Sequence, residues 1–303
     1  MHSLTRRGFT LVELLVALVL LAIISAALYR VLVNNQRLYQ AQTQRIDLQQ
    51  NIRAAETILP AEFRELDAAD GDISAMSATS VSIRAMRWLG FTCSPPVLGG
   101  LLGGVTVTIR GGAVGQPLFF GSRGPSTATD SVLVYYDGNQ AARNDDAWAR
   151  GRPIATLAQN CPLGGTGLRL TLDMTGGLPP PTPPAITSNV NGAITNGAPV
   201  RGFERVTYQL YRPAGDTSWY IGFQPAGGTM QPLIGPVLSN GLTFSYFDAA
   251  GVVTNVPANV ARIDFVVRAR TAQAVRQAAG SAVRAATVDS VNVSVALRNN
   301  RRF

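Results

Sequence analysis

The chain has 303 residues, of which 46% are apolar and 15% charged, with 30 glycines and 18 prolines. This composition excludes a disordered chain and allows one large or two small domains with a buried core. The formal charge is +8, all 26 basic residues are arginines, and the single histidine is His2. Because histidine and lysine, the commonest general bases and amine nucleophiles, are absent outside the first eight residues, we predict neither enzymatic activity nor a bound cofactor.

An apolar run occupies residues 9–29, and apart from the Tyr29 phenol its only ionisable side chain is that of Glu13. About 20 helical residues cross the hydrocarbon core of a membrane. Three interpretations follow. The run could be a secretory signal cleaved near Ala27, an ordinary membrane anchor, or a membrane segment in which Glu13 has a function.

The residues after this run favour a continuing helix over a cleaved signal. Leu48, Ile52, Ala55 and Leu59 form one apolar stripe at helical spacing, and neither Gly nor Pro occurs between residues 9 and 59. Pro60 is expected to end or kink the helix. The pattern therefore predicts one helix over residues 9–59, with residues 9–29 spanning the membrane and the second half amphipathic.

Residues 60–303 change to the period of two that is typical of half-buried β-strands. The alternating segments lie at residues 105–109, 206–211, 219–223, 242–246, 263–268 and 291–297. The second and third are expected to form a hairpin. A loop insertion rich in Pro and Gly is predicted at residues 174–200, and residues 271–287 read as a loop or a short helix. The predicted fold class is α+β, a long helix followed by a mainly antiparallel sheet.

Two features outside the helix are candidates for chemistry. Cys93 and Cys161 have no spacing typical of a metal site, so they are free thiols or a disulfide, and the disulfide is favoured if they leave the cytoplasm. The C-terminal arginines Arg298, Arg301 and Arg302 are candidates to contact phosphate or an acidic neighbour. The alternative for them is a solvated arginine-rich surface.

A carboxylate near the centre of a membrane helix costs about 2.5–3.5 kcal/mol, and less near the interface. Glu13 lies roughly 6 Å, one helical turn, beyond Phe9. A cut between Gly8 and Phe9 would create an α-amine, which could neutralise the Glu13 of a neighbouring helix. Without such a partner the buried charge would be uncompensated.

The residues that precede and follow this bond resemble a known signal. Arg6-Arg7-Gly8 followed by Phe9-Thr10-Leu11-Val12-Glu13 is similar to the class III signal of type IV prepilins and type II secretion pseudopilins. The resemblance implies a leader at residues 1–8, cleavage between Gly8 and Phe9 by a membrane prepilin peptidase, N-methylation of Phe9 and a subunit-docking role for Glu13. It also implies a pilin-like fold.

Within that family the chain most resembles PilW-type minor pilins and J-type minor pseudopilins. Its length, and the lack of a proline in the apolar half of the helix, depart from the pattern of major pilins. The resemblance implies a non-enzymatic subunit that initiates a type IV pilus or a type II secretion-like filament, or lies at its tip. The implied partners are the prepilin peptidase, other pilins, a membrane platform protein and, indirectly, an assembly ATPase.

The arginines before the run predict a cytoplasmic N-terminus in the inner membrane, and the β-rich domain would lie in the periplasm or, within a filament, at the cell surface. Two alternatives stay open. The chain could be a competence (DNA-uptake) tip component whose Arg298, Arg301 and Arg302 bind DNA. It could instead be a simple membrane-anchored periplasmic protein.

Overall fold

The computed structural model describes residues 10–98, 105–111, 120–137, 141, 147–173, 194–276 and 283–298. The chain divides into two compact units, one made of residues 1–50 and 271–288 and the other of residues 51–270 and 289–303. One helix, α1 (Leu11–Arg64), contributes residues to both units. All the long strands belong to the second unit, apart from the first residue of the last one.

The helix α1 is longer than predicted at its C-terminal end, because it continues through Pro60 to Arg64. Proline inside a helix removes one backbone hydrogen bond and costs about 3 kcal/mol or more. The residues around it offset that cost by burial, since Leu59 and Phe63 are both 0% exposed. The expected end at residue 59 was therefore wrong, and tertiary packing is the reason.

Phe63 anchors the last turns of α1 in the aromatic core of the second unit. Its ring makes edge-to-face contacts with Tyr208, Phe244 and Phe265, at centroid distances of 6.2, 6.0 and 6.0 Å. Such contacts add about 0.5–1.5 kcal/mol each beyond the burial of area. The end of the helix is tied down as well, because the backbone N–H of Arg298 donates to the carbonyl of Arg64 at 2.9 Å.

Thirteen strands of the described residues form one antiparallel sheet. Their bounds are β1 Ile73–Met76, β2 Ser80–Phe91, β3 Val97–Leu98, β4 Val105–Arg110, β5 Phe120–Gly121, β6 Asp130–Tyr136, β7 Ala147–Asn160, β8 Thr166–Asp173, β9 Pro199–Tyr211, β10 Trp219–Gln224, β11 Gln231–Phe247, β12 Arg262–Arg270 and β15 Val288–Ala296. The order of the main path is β15-β12-β11-β10-β9-β6-β7-β8-β4-β3, and β2 pairs with β9 beside β1 and β5.

One half of this sheet closes into a barrel. Strands β2, β9, β6, β7, β8 and β4 pair in that order, and Thr92, just after β2, bridges back to Ile109 of β4. Trp88, Val107, Val134 and Leu170 are fully buried in the core cluster of this half. Gly202 is needed there, because a Cβ at that position would lie 1.8 Å from the Trp88 ring.

The described part of residues 271–288 is a short strand pair, not a helix. Strand β13 (Val275–Arg276) pairs with β14 (Arg284–Ala285). The base of the pair is closed by the Thr271 N–H, which donates to the Thr287 carbonyl at 2.9 Å. Within the same unit, the Gln273 N–H donates to the Gln44 side-chain oxygen of α1 at 3.1 Å.

The α+β prediction is confirmed, and so is its antiparallel sheet. The six alternating segments lie in β4, β9, β10, β11, β12 and β15, and β9 and β10 form the expected hairpin. The predicted insertion at residues 174–200 ends earlier, because β9 begins at Pro199, and residues 174–193 lie outside the described part. Strands β1, β2, β6, β7 and β8 were missed, and so were the two-residue strands β3, β5, β13 and β14.

Candidate functional site

The first described turn of α1 contains Glu13, the residue that the sequence singles out. The Glu13 N–H donates to the hydroxyl oxygen of Thr10 at 3.2 Å, and the Leu14 N–H donates to the Thr10 carbonyl at 3.2 Å. Thr10 therefore caps the helix, and Thr10-x-x-Glu13 matches the capping-box sequence. Sequence reasoning missed this motif, although threonine three residues before glutamate at the start of an apolar run is its signature.

Glu13 thus has a local role beside any role in docking. A negative charge in the first turn of an exposed helix stabilises it by about 0.3–1 kcal/mol through the helix dipole. A carboxylate at the centre of a membrane helix costs about 2.5–3.5 kcal/mol, and the cost is smaller one helical turn from the end of the apolar run, where Glu13 lies. Capping therefore offsets part of the cost of a glutamate at this position.

The helix surface around Glu13 is apolar and uncovered. The exposed fraction is 82% for Leu11, 57% for Leu15 and Leu18, and 55% for Ile24. Large apolar side chains stay exposed as far as Leu32, which is 55% exposed. Uncovered apolar surface on this scale marks a membrane or protein contact. The 22 residues from Leu11 to Leu32 cover about 33 Å of helix, which matches the hydrocarbon thickness of a bilayer.

Among the described residues, α1 is the one helix that is long and apolar enough to cross a membrane. In the apolar part of α1, apolar side chains lie on every face of the helix and do not form a single stripe, as expected for a helix with lipid or other apolar helices on every side. The structure is consistent with membrane anchoring through this segment.

The other predicted site residues have different outcomes. Gly8, Phe9, Arg301 and Arg302 lie outside the described residues. Arg298 is described and exposed, and its backbone N–H is bonded to the end of α1. The suggestion that the three C-terminal arginines contact phosphate or an acidic group therefore stays a prediction.

Cys93 and Cys161 are joined by a disulfide with a Cα–Cα distance of 5.7 Å. Cys93 follows β2, and Cys161 directly follows β7. The Cys93 N–H also donates to the Thr108 carbonyl of β4 at 2.9 Å, so the bond lies where the barrel closes. With a sequence separation of 68 between the cysteines, the chain-entropy argument gives a stabilisation of about 4 kcal/mol.

A network of half-buried charges next to the end of α1 was not apparent from the sequence. Arg87 of β2 donates to Glu62 of α1 at 2.7 Å and to Glu204 of β9 at 3.2 Å. Burial lowers the pKa of Arg87, but its hydrogen bonds to Glu62 and Glu204 raise the pKa by more than burial lowers it, so the net shift is upward. Arg87 therefore stays charged and fastens the helix to the sheet.

The same network extends to the barrel. Arg123 forms ion pairs with Asp130 and Glu204, and the Trp88 indole N–H donates to Asp130 at 2.9 Å. Because every carboxylate in this group has a charged or hydrogen-bonding partner, the network is structural rather than reactive.

Comparison with known proteins supports the N-terminal assignment. Residues 4–29 match the family model of the prokaryotic N-terminal methylation motif. No curated protein and no solved structure matches the chain. The matched residues include the cleavage site expected at Gly8 and Phe9, the capping residue Thr10 and Glu13.

Proposed function

Residues 4–29 are a class III signal of the type IV pilin and pseudopilin family, and on this premise we propose that the chain is a minor subunit of a type IV pilus or a type II secretion-like filament. Such a signal implies processing by a prepilin peptidase and association with other pilins. The finer role proposed here is assembly initiation or the filament tip. A platform protein and, indirectly, an assembly ATPase would extract the subunit from the membrane.

One observation carries this proposal, namely the position of Glu13 on an apolar helix surface that the described chain leaves uncovered. In the membrane the uncovered surface contacts lipid. In a filament the same surface would pack against neighbouring helices. There the Glu13 carboxylate would meet the α-amine of Phe9 from the next subunit, and each charge would neutralise the other.

The length of the chain supports a low-copy role. Residues 65–303 form a β-rich region several times longer than the apolar helix segment, with a barrel stapled by the Cys93–Cys161 disulfide. A subunit with so large a domain fits at the tip of a filament more easily than in the filament wall, where identical subunits are closely packed. No described residue favours DNA binding through the C-terminal arginines over this role.

Mass spectrometry of the chain purified from its membrane tests the processing step. We expect an N-terminus at Phe9 that carries one methyl group, and an unprocessed chain in cells that lack the prepilin peptidase. An intact Met1, or a cut near Ala27, would support an ordinary anchor or a secretory signal instead and would refute the proposal.

In vivo photo-crosslinking from residue 15 tests the docking step, and it applies to a pilus and to a secretion filament alike. The Glu13→Ala variant should insert and be cut normally but should crosslink to other subunits at least about tenfold less, since each 1.4 kcal/mol lost is tenfold in an equilibrium. Thr10→Val is the matched control, because it removes the cap and keeps the carboxylate. Equal loss in both variants would mean that Glu13 acts only through helix capping.

A further inference from the structure

Positive charge accumulates just beyond the apolar run, within the unit made of residues 1–50 and 271–288. The described residues of this unit that follow residue 29 include five arginines, three on α1 and two on the strand pair β13–β14. They are Arg30, Arg37, Arg45, Arg276 and Arg284. The same described residues include one acidic side chain, that of Asp47. The surface next to the segment of membrane length is therefore strongly basic.

Helical spacing places Arg30 and Arg37 on one face of α1, because seven residues make almost two full turns. Gln44 is another seven residues along the helix and lies on the same face. The chain that leads into β13 is attached at this point, since the Gln273 N–H donates to the Gln44 side-chain oxygen at 3.1 Å. The strand pair β13–β14 is therefore attached to the face of α1 that presents Arg30 and Arg37.

Arg284 of β14 lies close to this attachment. Its direct cross-strand partner is Arg276, which follows Gln273 by three residues, so the backbone of Arg284 lies within roughly 15 Å of Gln273. Arg37 lies about 10 Å from Gln44 along the helix. The helix and the strand pair thus present arginines on one side of the unit. We call Arg30, Arg37 and Arg284 the basic face.

No acidic side chain of α1 is placed to neutralise the arginines of this face. An acidic residue three or four positions away on an exposed helix would stabilise an arginine, but these positions around Arg30 and Arg37 hold only uncharged residues. In the described part of the chain, the three arginines of the basic face are exposed and form no ion pair. Arg53, further along α1, has Glu56 three residues away. The excess charge is therefore confined to the part of the helix next to the apolar run.

The position of the basic face favours anionic phospholipid as its partner. The apolar surface of membrane length ends near Leu32. Arg30 lies in the last turn before Leu32, and Arg37 lies about 8 Å beyond it, which corresponds to the headgroup layer of about 5–8 Å. Arginine binds phosphate oxygens through two parallel hydrogen bonds. Arginines beside a membrane helix attract anionic lipids, and the lipids are already present where the helix leaves the membrane.

We propose that the basic face binds the headgroups of anionic phospholipids in the leaflet where the apolar run ends, and that it holds the strand pair β13–β14 at the membrane surface. Arg30 and Arg37 contact lipid phosphates from the helix, and Arg284 contacts them from the strand pair. This proposal rests on the anchoring of α1 in a membrane. It requires neither cleavage after Gly8 nor docking through Glu13.

The test uses the full chain in lipid nanodiscs, with a fluorophore on the strand pair and a nitroxide quencher on the lipid headgroups. Ala274→Cys supplies the labelling site, because Ala274 is exposed and the two native cysteines are joined to each other. We expect stronger quenching in nanodiscs that contain phosphatidylglycerol than in nanodiscs of phosphatidylcholine alone. Added salt should weaken the difference, because the attraction is between charges. Equal quenching in the two kinds of nanodisc overturns the proposal.

Substitutions in the labelled chain identify the residues responsible. Arg37→Gln and Arg284→Gln should each lower the ratio of membrane-bound to free strand pair about fivefold in the anionic nanodiscs. Arg53→Gln is the control of equal charge change on the same helix, since Arg53 lies about 24 Å beyond Arg37, and it should behave as the native chain does. An equal loss in Arg53→Gln would mean that net charge alone is responsible, and it overturns the proposal.

An acidic protein segment is the alternative partner, and a fluorescent hexaglutamate peptide added to phosphatidylcholine nanodiscs tests it. We expect no saturable binding of the peptide. Saturable binding that is lost in Arg37→Gln would mean that the face takes acidic protein segments, and it overturns the proposal. These measurements need neither a prepilin peptidase nor a filament, so their failure is distinguishable from an unprocessed N-terminus in the mass spectrum.

Discussion

The two ends of α1 differ in what covers them. From Leu11 to Leu32 almost every large apolar side chain is more than half exposed, whereas Ala55, Leu59 and Phe63 near the other end are 0% exposed. The exposed end is the more apolar of the two, and the buried end has charged residues between its apolar ones. High hydropathy therefore does not locate the core of this fold.

The difference shows which solvent each part of the helix is suited to. A helix that is apolar all round has no polar face to turn to water, so it needs lipid or other apolar helices. The striped end buries one face against the sheet and leaves polar side chains outside. One continuous helix thus lies in two environments. Substitutions at the buried end should change the free energy of unfolding, whereas a substitution at the exposed end should change local hydrogen exchange.

The largest effect on folding is expected at the buried end. Phe63→Ala removes a ring that contacts three aromatic partners, and should lower the free energy of unfolding by about 3–5 kcal/mol. Leu18→Ala removes a side chain that is 57% exposed and should change it by less than about 1 kcal/mol. Guanidinium unfolding of the full chain in non-ionic detergent, followed by tryptophan fluorescence, measures both. Similar losses of unfolding free energy in the two variants would show that the two ends of the helix contribute equally to the stability of the fold.

A smaller effect is expected from the charges that fasten this end to the sheet. Arg87→Met leaves Glu62 without its arginine, while Glu204 keeps Arg123, so the loss should be about 2 kcal/mol. Glu62→Gln in the same background should cost less than it does alone, because the pair is already broken. Additive losses in this double-mutant cycle would contradict a direct contribution from the ion pair.

The smallest effect is expected at the exposed end. Thr10→Val removes the hydroxyl that accepts the Glu13 N–H, at a cost of about 0.5–1 kcal/mol confined to the first turn. Hydrogen exchange in detergent micelles should show faster exchange at the Glu13 amide and no change over residues 51–64. Unchanged exchange at Glu13 would mean that the cap does not form in an apolar medium.

Much of this architecture was predictable from local patterns. The apolar run with its single carboxylate predicts the uncovered helix, and strict alternation such as that of Ile263, Phe265 and Val267 predicts β12. Strand β7 was missed because it contains Gly151 and Pro153, and its register shifts between Pro153 and Ala155. Strand β2 was missed because its register shifts between Met86 and Trp88, which breaks the period of two on which strand prediction depends.

The sequence by itself determined the signal around Gly8 and Phe9, the membrane-length helix with Glu13 and the β character of the rest, because all of these depend on near neighbours in the chain. It also left two possibilities for Cys93 and Cys161, either free thiols or a disulfide. Only the tertiary structure decided that α1 runs past Pro60, that the barrel closes at Thr92 and Ile109, and that the chain leading into β13 is bonded to α1 at Gln44. Those results depend on contacts between residues far apart in sequence, where burial and strand register outweigh local preference.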